Sequence, residues 1–164
     1  MRRVVVTGLG TINPLGNTVD SSWNSLTSSE SGISKITKFQ VDEFPCKIAG
    51  IIDDSKINEE IVSQREQRKI DRFILLGLIA AEEAVIDSGF ISDDNTSFRS
   101  GVMVGSGIGG LDTIYKNSSI LDNKGSRKIS PFFIPSSLIN LLSGQISIKY
   151  NLKGPNSSPV TACA

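Results

Sequence analysis

The chain has 164 residues with Lys plus Arg and Asp plus Glu at 17 each, so it suits one domain with a sizeable core, and its net charge points neither to nucleic acid nor to a membrane surface. Cys46 and Cys163 share no motif spacing and histidine is absent, which argues against a zinc site and against a disulfide framework. The start opens like a signal peptide, but the apolar run breaks at Thr7-Gly8 and Asn13-Pro14, and no stretch approaches the ~18 apolar residues of a spanning helix, so a cytoplasmic location is expected.

Val4-Val5-Val6, bounded by Gly8 and Gly10, predicts a buried strand over about residues 3–7. Gly8-x-Gly10 invites a dinucleotide reading, but Asn13 stands where the third glycine of that fingerprint belongs. Thr18 can cap a helix running through Trp23 and Leu26 to about Ser29. Residues 48–52 suit a short strand, followed by a polar, turn-rich stretch from Asp53 to Ser63.

Gln64 to about Asp87 reads as one helix, apolar on every face at its centre and stopped by Gly89. In its first turns Arg65, Arg68, Lys69 and Arg72 recur at i, i+3, i+4 and i+7, which would put four cations on one face. Near a helix N-terminus such charge opposes the macrodipole by about 0.3–1 kcal/mol per residue. Two readings stand: a solvated face softened by Glu66 and Asp71, or a docking patch for an acidic partner.

A strand over about 101–105 runs into Gly105-Ser106-Gly107-Ile108-Gly109-Gly110, and a helix is expected from about Leu111. Gly105, Gly107 and Gly110 satisfy a dinucleotide fingerprint literally. The acid it requires at the end of a following strand is missing, since Asp122 falls in an expected Asp-Asn-Lys-Gly turn. The alternative is that these glycines let the backbone pass close to another segment. Ser130-Pro131-Phe132-Phe133-Ile134-Pro135 predicts a rigid extended segment whose aromatics could be core, and Ser136 or Ser137 could cap an apolar helix through Leu142.

Gly154-Pro155 then turns the chain into a last strand, about 158–162, which presents Cys163 between alanines. Small neighbours would let a carbonyl reach the sulfur, as a nucleophile requires, although a lone cysteine can equally be a small buried apolar residue. No histidine is present to serve as its base. Together the strands at 3–7, 48–52, 101–105 and 158–162, separated by helices, predict an α/β fold with some parallel pairing.

Gly154-Pro155-Asn156 and Thr161-Ala162-Cys163-Ala164, with Lys128-Ile129-Ser130-Pro131-Phe132-Phe133-Ile134-Pro135, Gly105 to Gly110 and Val4 to Gly10 before them in order, resemble a type II, elongating β-ketoacyl-acyl-carrier-protein synthase along the whole chain. The resemblance implies a thiolase-like fold, of which residues 1–164 would be a truncated N-terminal β-ketoacyl synthase domain ending just after the nucleophile. It implies Cys163 as nucleophile, with its own N–H as one oxyanion donor, and Ile108 and Phe133 as acyl-pocket residues, Phe133 reaching across a two-fold dimer interface. It also implies Arg65, Arg68, Lys69, Arg127 and Lys128 as the surface for acyl and malonyl carrier protein, and chemistry needing no metal or organic cofactor. Two histidines, a lysine and a phenylalanine of the family have no counterpart positions here. Three readings remain open: a truncated or split condensing enzyme, a non-catalytic remnant or interaction half, or a nucleotide-binding α/β domain.

Overall fold

The computed structural model of the protein describes residues 2–161, and the chain divides into two compact units. The first comprises Met1–Glu59 and Ile79–Gly89; the second comprises Glu60–Leu78 and Phe90–Ala164.

In the first unit, helix α1 (Val19–Thr27) starts where expected, because Thr18 and Ser21 form a reciprocal capping box that satisfies free N–H groups of the first turn. Strands β1 (Ile33–Lys35) and β2 (Ile48–Gly50) form an antiparallel pair in the register Ile33↔Gly50, Ser34↔Ala49 and Lys35↔Ile48. The expected strand over 3–7 is not formed. No described segment offers it a ladder, and Val4 is 93% exposed. A continuous valine run reads as a strand buried on both faces, but burial and pairing come from neighbours, and residues 2–161 supply none.

The segment after Val6 is nonetheless fixed. A Cβ on Gly8 would lie 2.3 Å from the carbonyl oxygen of Ala84, and one on Gly10 would lie 1.9 Å from that of Ala80. These residues therefore rest on the backbone of helix α3 (Arg72–Ser88) along its Ala80, Ala84 and Ser88 row. Carboxylates of the helix hold them there: Asp87 Oδ2 accepts from Leu9 N at 2.8 Å, and Glu83 accepts from Thr11 N at 2.9 Å and from Val19 N at 2.7 Å.

The expected helix from Gln64 is two helices. A single turn, α2 (Gln64–Gln67), is closed at Arg68, and α3 restarts at Arg72 and ends as expected at Gly89, whose φ is +62°. Nor is the apolar centre buried on every side: the buried positions are Asp71, Ile74, Leu75, Leu78 and Ile79, a single stripe at helical spacing. In the second unit the stripe's Ile74, Leu75 and Leu78 share the core with Val102, Leu142, Ile146 and Leu152. Gly77 lets Leu142 close on α3, since a Cβ there would lie 2.4 Å from Leu142 Cδ2.

The other elements of this unit are β3 (Val102–Met103), α4 (Leu111–Lys124), α5 (Phe133–Ser137), α6 (Asn140–Lys149) and β4 (Asn156–Ser157). β3 and β4 are parallel, which meets the expectation of parallel pairing, but β3 is shorter than expected, and the strand expected over about 158–162 is not formed at 158–161, the pairing falling just before it at Asn156–Ser157. Asp122, placed by its sequence in a turn, lies in the last turn of α4, and Gly125 at φ +77° ends that helix. The segment expected to be extended between two prolines is a turn at Pro131-Phe132 and helix from Phe133. Pro135 falls in the first turn of α5, where its missing N–H needs no partner, so it opens the helix instead of stiffening an extended stretch. Ser136 and Ser137, expected as caps of the next helix, lie inside α5, where the Ser136 hydroxyl donates back to the Phe132 carbonyl at 2.7 Å and the Ser137 hydroxyl to that of Phe133. Among the described residues no helix is long and apolar enough to cross a membrane.

Candidate functional site

The second unit gathers the sequence-predicted site residues other than Cys163 on three segments that touch. The first is the basic turn. Ser63 and Glu66 form a capping box at the start of α2, and hydrogen bonds from the Ser63 hydroxyl and then its backbone N–H hold the Glu66 carboxyl below the usual glutamate range. Because α2 stops at Gln67, Arg68 and Lys69 stand at its C-terminal end, where positive charge suits the backbone dipoles. The four cations therefore do not share one helix face: Arg72 belongs to α3. Arg65 and Arg68 are exposed, and Lys69 is half-buried with its ammonium 5.4 Å from the centre of the Phe132 ring.

That contact leads to the second segment. Exposed Arg127 and Lys128 form a tight turn, Ile129 and Ser130 follow, and Phe132 N donates to Ser130 Oγ at 3.1 Å as the chain enters α5. Phe133, the first residue of α5, is half-buried. A groove of about 580 Å³ opens beside this junction, with Ile61, Val62, Ile70, Phe132 and Ile148 in its wall together with Lys69, Lys149 and Glu66.

The third segment is the glycine-rich loop. Gly110 N donates to the Ser137 carbonyl at 3.0 Å, and a Cβ on Gly110 would lie 2.7 Å from Ser137 Cα. Gly109, at φ +74°, would place a Cβ 2.7 Å from the same carbonyl oxygen. Close passage of two backbones accounts for these two glycines, as one of the sequence readings anticipated. Ile108, between them and Gly107, is 63% exposed.

Cys163 lies outside the described residues, and the segment leading toward it is held through β4. Val102 N donates to the Pro155 carbonyl at 2.9 Å and Val104 N to that of Ser157 at 3.1 Å, so β4 runs alongside the strand that enters the glycine-rich loop. Fully buried Ser143 of α6 secures β4: its Oγ lies 2.7 Å from Asn156 Oδ1 and 2.8 Å from Ser158 Oγ, and Asn156 Nδ2 donates to the Ser143 carbonyl at 3.0 Å. Neither Ser143 nor Asn156 was singled out for this from the sequence. The available signal is local and weak: Ser143 directly follows the apolar Leu141-Leu142 pair of α6.

Asp71 does not soften a solvated basic face, as one of the two readings of that stretch has it: it is 6% exposed, and its Oδ2 accepts from Thr113 Oγ1 at 2.6 Å and from Thr113 N at 3.1 Å.

A short parallel pair feeding a glycine-rich turn, backed by helices, is an α/β arrangement, and the ketosynthases on which the chain superposes make it one of the thiolase-like kind. Over 99% of its length the chain superposes on the ishigamide ketosynthase/chain length factor with a TM-score of 0.84 and 25% identity, covering 41% of that chain. Over 97% it matches, with a TM-score of 0.69 and 25% identity and covering 41% of that chain, a structure described as AntDE:AntF, a type II PKS acyl-carrier protein in complex with its ketosynthase bound to the hexaketide. The chain belongs to the family described as Beta-ketoacyl synthase, N-terminal domain, which matches residues 1–164. Among its relatives it is 46% identical over 162 residues to 3-oxoacyl-[acyl-carrier-protein] synthase 2 of Vibrio harveyi, covering 99% of this chain and 39% of that protein. It is 40% identical over 163 residues to the Staphylococcus aureus protein of the same name, again covering 99% of this chain and 39% of the relative. The chain thus spans about two fifths of the length of the curated relatives it matches.

Proposed function

We propose that residues 1–164 provide the carrier-docking surface, part of the acyl pocket and the nucleophile of a 3-oxoacyl-[acyl-carrier-protein] synthase, which elongates a fatty acyl chain by decarboxylative condensation with malonyl-carrier protein. Cys163 receives the acyl group from its carrier, and its own N–H is one donor to the oxyanion. Ile108 and Phe133 line the acyl chain's path, with Phe133 serving the partner's pocket in a homodimer. The enzyme works in the cytoplasm and its chemistry uses no metal or organic cofactor. The remaining catalytic groups come from the portion that the longer relatives have and residues 1–164 do not.

The observation that carries this reading is the convergence on one unit of the basic turn, the Phe132-Phe133 helix and the Ile108 loop, joined through Lys69 on Phe132 and Gly110 on Ser137. The largely apolar groove carries Lys69, Lys149 and Glu66 in its wall, and exposed Arg65 and Arg68 share the turn that contributes Lys69; an acidic carrier complements the net positive charge of that turn. The test is a chimera in which residues 1–164 replace the matching part of the Vibrio harveyi relative. Condensation of acyl with malonyl carrier protein, lost in Cys163→Ala, is expected; a folded chimera that binds neither carrier would overturn the reading.

A further inference from the structure

We propose that Asp71 is a positioning residue that fixes the glycine-rich loop, and Ile108 with it, against the helix bearing Phe133, and so sets the acyl-chain length the site accepts. This rests on the functional reading above, specifically on Ile108 lining the acyl path.

One buried carboxylate serves two helix starts. Asp71 Oδ1 accepts from Phe73 N at 3.2 Å in the opening turn of α3, while Oδ2 takes both the hydroxyl and the N–H of Thr113 in the opening turn of α4. The residue capping α4 is Gly110, which has no side chain to satisfy the free N–H groups behind it. Asp71 does so from a distant point in the chain. Negative charge suits both helix starts, and charge-assisted bonds to buried donors are stronger than neutral ones.

The position of Ile108 depends on this anchor because the loop has few others. At its start, Val104 N is held by the Ser157 carbonyl. At its end, Gly110 is pinned between Ser137 and Asp71: a Cβ there would lie 2.7 Å from Ser137 Cα and 3.2 Å from Asp71 Oδ2. Between these points a Cβ on Gly107 would meet nothing within 4 Å, and Ile108 itself is largely exposed. The one bond inside the loop, Gly109 N donating to Ser106 Oγ at 3.2 Å, ties it to itself and not to the rest of the unit, so the turn carries its one large side chain wherever its ends are put. A shift of a fraction of an ångström at a close-fitting pocket discriminates between substrates that differ by a few methylenes.

The test uses the chimera with the Vibrio harveyi relative. Thr113→Val removes the hydroxyl donor while keeping shape and the backbone bond, Thr113→Ser restores the hydroxyl, and Asp71→Asn weakens both bonds. The readout is the ratio of kcat/KM for a long over a short acyl carrier, with Ile108→Phe as the control that must shift it. Thr113→Val should change the ratio about threefold or more and Asp71→Asn further, with Thr113→Ser close to the parent. Hydrogen exchange should quicken at residues 106–110 and stay unchanged at Ile74 and Leu75. A shifted ratio in Ile108→Phe beside an unchanged one in Thr113→Val and Asp71→Asn overturns the proposal, and so does an unmoved ratio in Ile108→Phe. If the parent chimera does not condense, the functional reading has failed instead, and the loop's exchange rates alone decide whether Asp71 positions it: unchanged rates in both variants reject it.

Discussion

Two glycine-rich stretches of this chain look alike in sequence and are opposites in structure. Gly8-x-Gly10 is packed: Cβ atoms there would run into helix backbone at 2.3 and 1.9 Å, and Glu83 and Asp87 clamp neighbouring N–H groups. The loop from Gly105 to Gly110 is packed only at its end and open at Gly107 and Ile108. Both resemble fragments of a nucleotide-binding fingerprint, yet contacts between protein segments explain Gly8, Gly10, Gly109 and Gly110. A glycine pattern reports that something approaches the backbone closely, and only the structure says what. The packed stretch should therefore reveal itself in stability and the open one, with the exposed basic turn, in binding.

The strongest way to break this contrast is Gly10→Ala, whose Cβ meets a helix carbonyl that cannot swing aside. It should destabilise the 164-residue chain by about 3 kcal/mol in urea unfolding. Retained stability would mean that the segment lifts off α3 at little cost. Glu83→Gln comes next, because it weakens two charge-assisted bonds to Thr11 N and Val19 N, with an expected loss of about 1–3 kcal/mol by the same measurement.

Reversing Arg65, Arg68 and Lys69 to Glu in the chimera should act on the other side of the contrast. Carrier binding should fall about tenfold at low salt, which is about 1.4 kcal/mol, and lose salt sensitivity, while the melting temperature stays near the parent's. Unchanged affinity would return that turn to an ordinary solvated surface. Gly107→Ala, on the open loop, should shift stability by no more than about 0.5 kcal/mol. The smallest effect belongs to Ser63→Ala. Glu66 has its carboxyl lowered by Ser63, so its contribution is present above the ordinary glutamate range and is lost as pH falls through the lower folded-state value. Removing the hydroxyl should move the Glu66 titration up toward that ordinary range by carboxylate NMR.

What could be read from the sequence was whatever local chemistry decides. Thr18 caps α1 with Ser21 three residues on, Gly89 ends α3, and the Leu111 start comes directly after the glycine run. What could not be read depends on distant partners. The valine run at 4–6 has a strand's composition but no ladder among the described residues. The continuous helix from Gln64 fails because Glu66 is spent on Ser63 and Asp71 on Phe73 and Thr113, so the chain starts a helix twice within one polar stretch. The basic residues of the site were legible as a cluster, since charge spacing is local. Asp71 was legible only as another charge, because its burial is a property of α4 arriving against it.

The most direct test of the central claim, that Cys163 is the acyl acceptor, is intact-mass analysis of the chimera after incubation with acyl carrier protein alone. One added acyl group per chain is predicted, mapped by peptide digestion to Cys163 and absent in Cys163→Ala. A folded chimera that gains no mass, while the intact Vibrio harveyi protein is acylated under the same conditions, would contradict it.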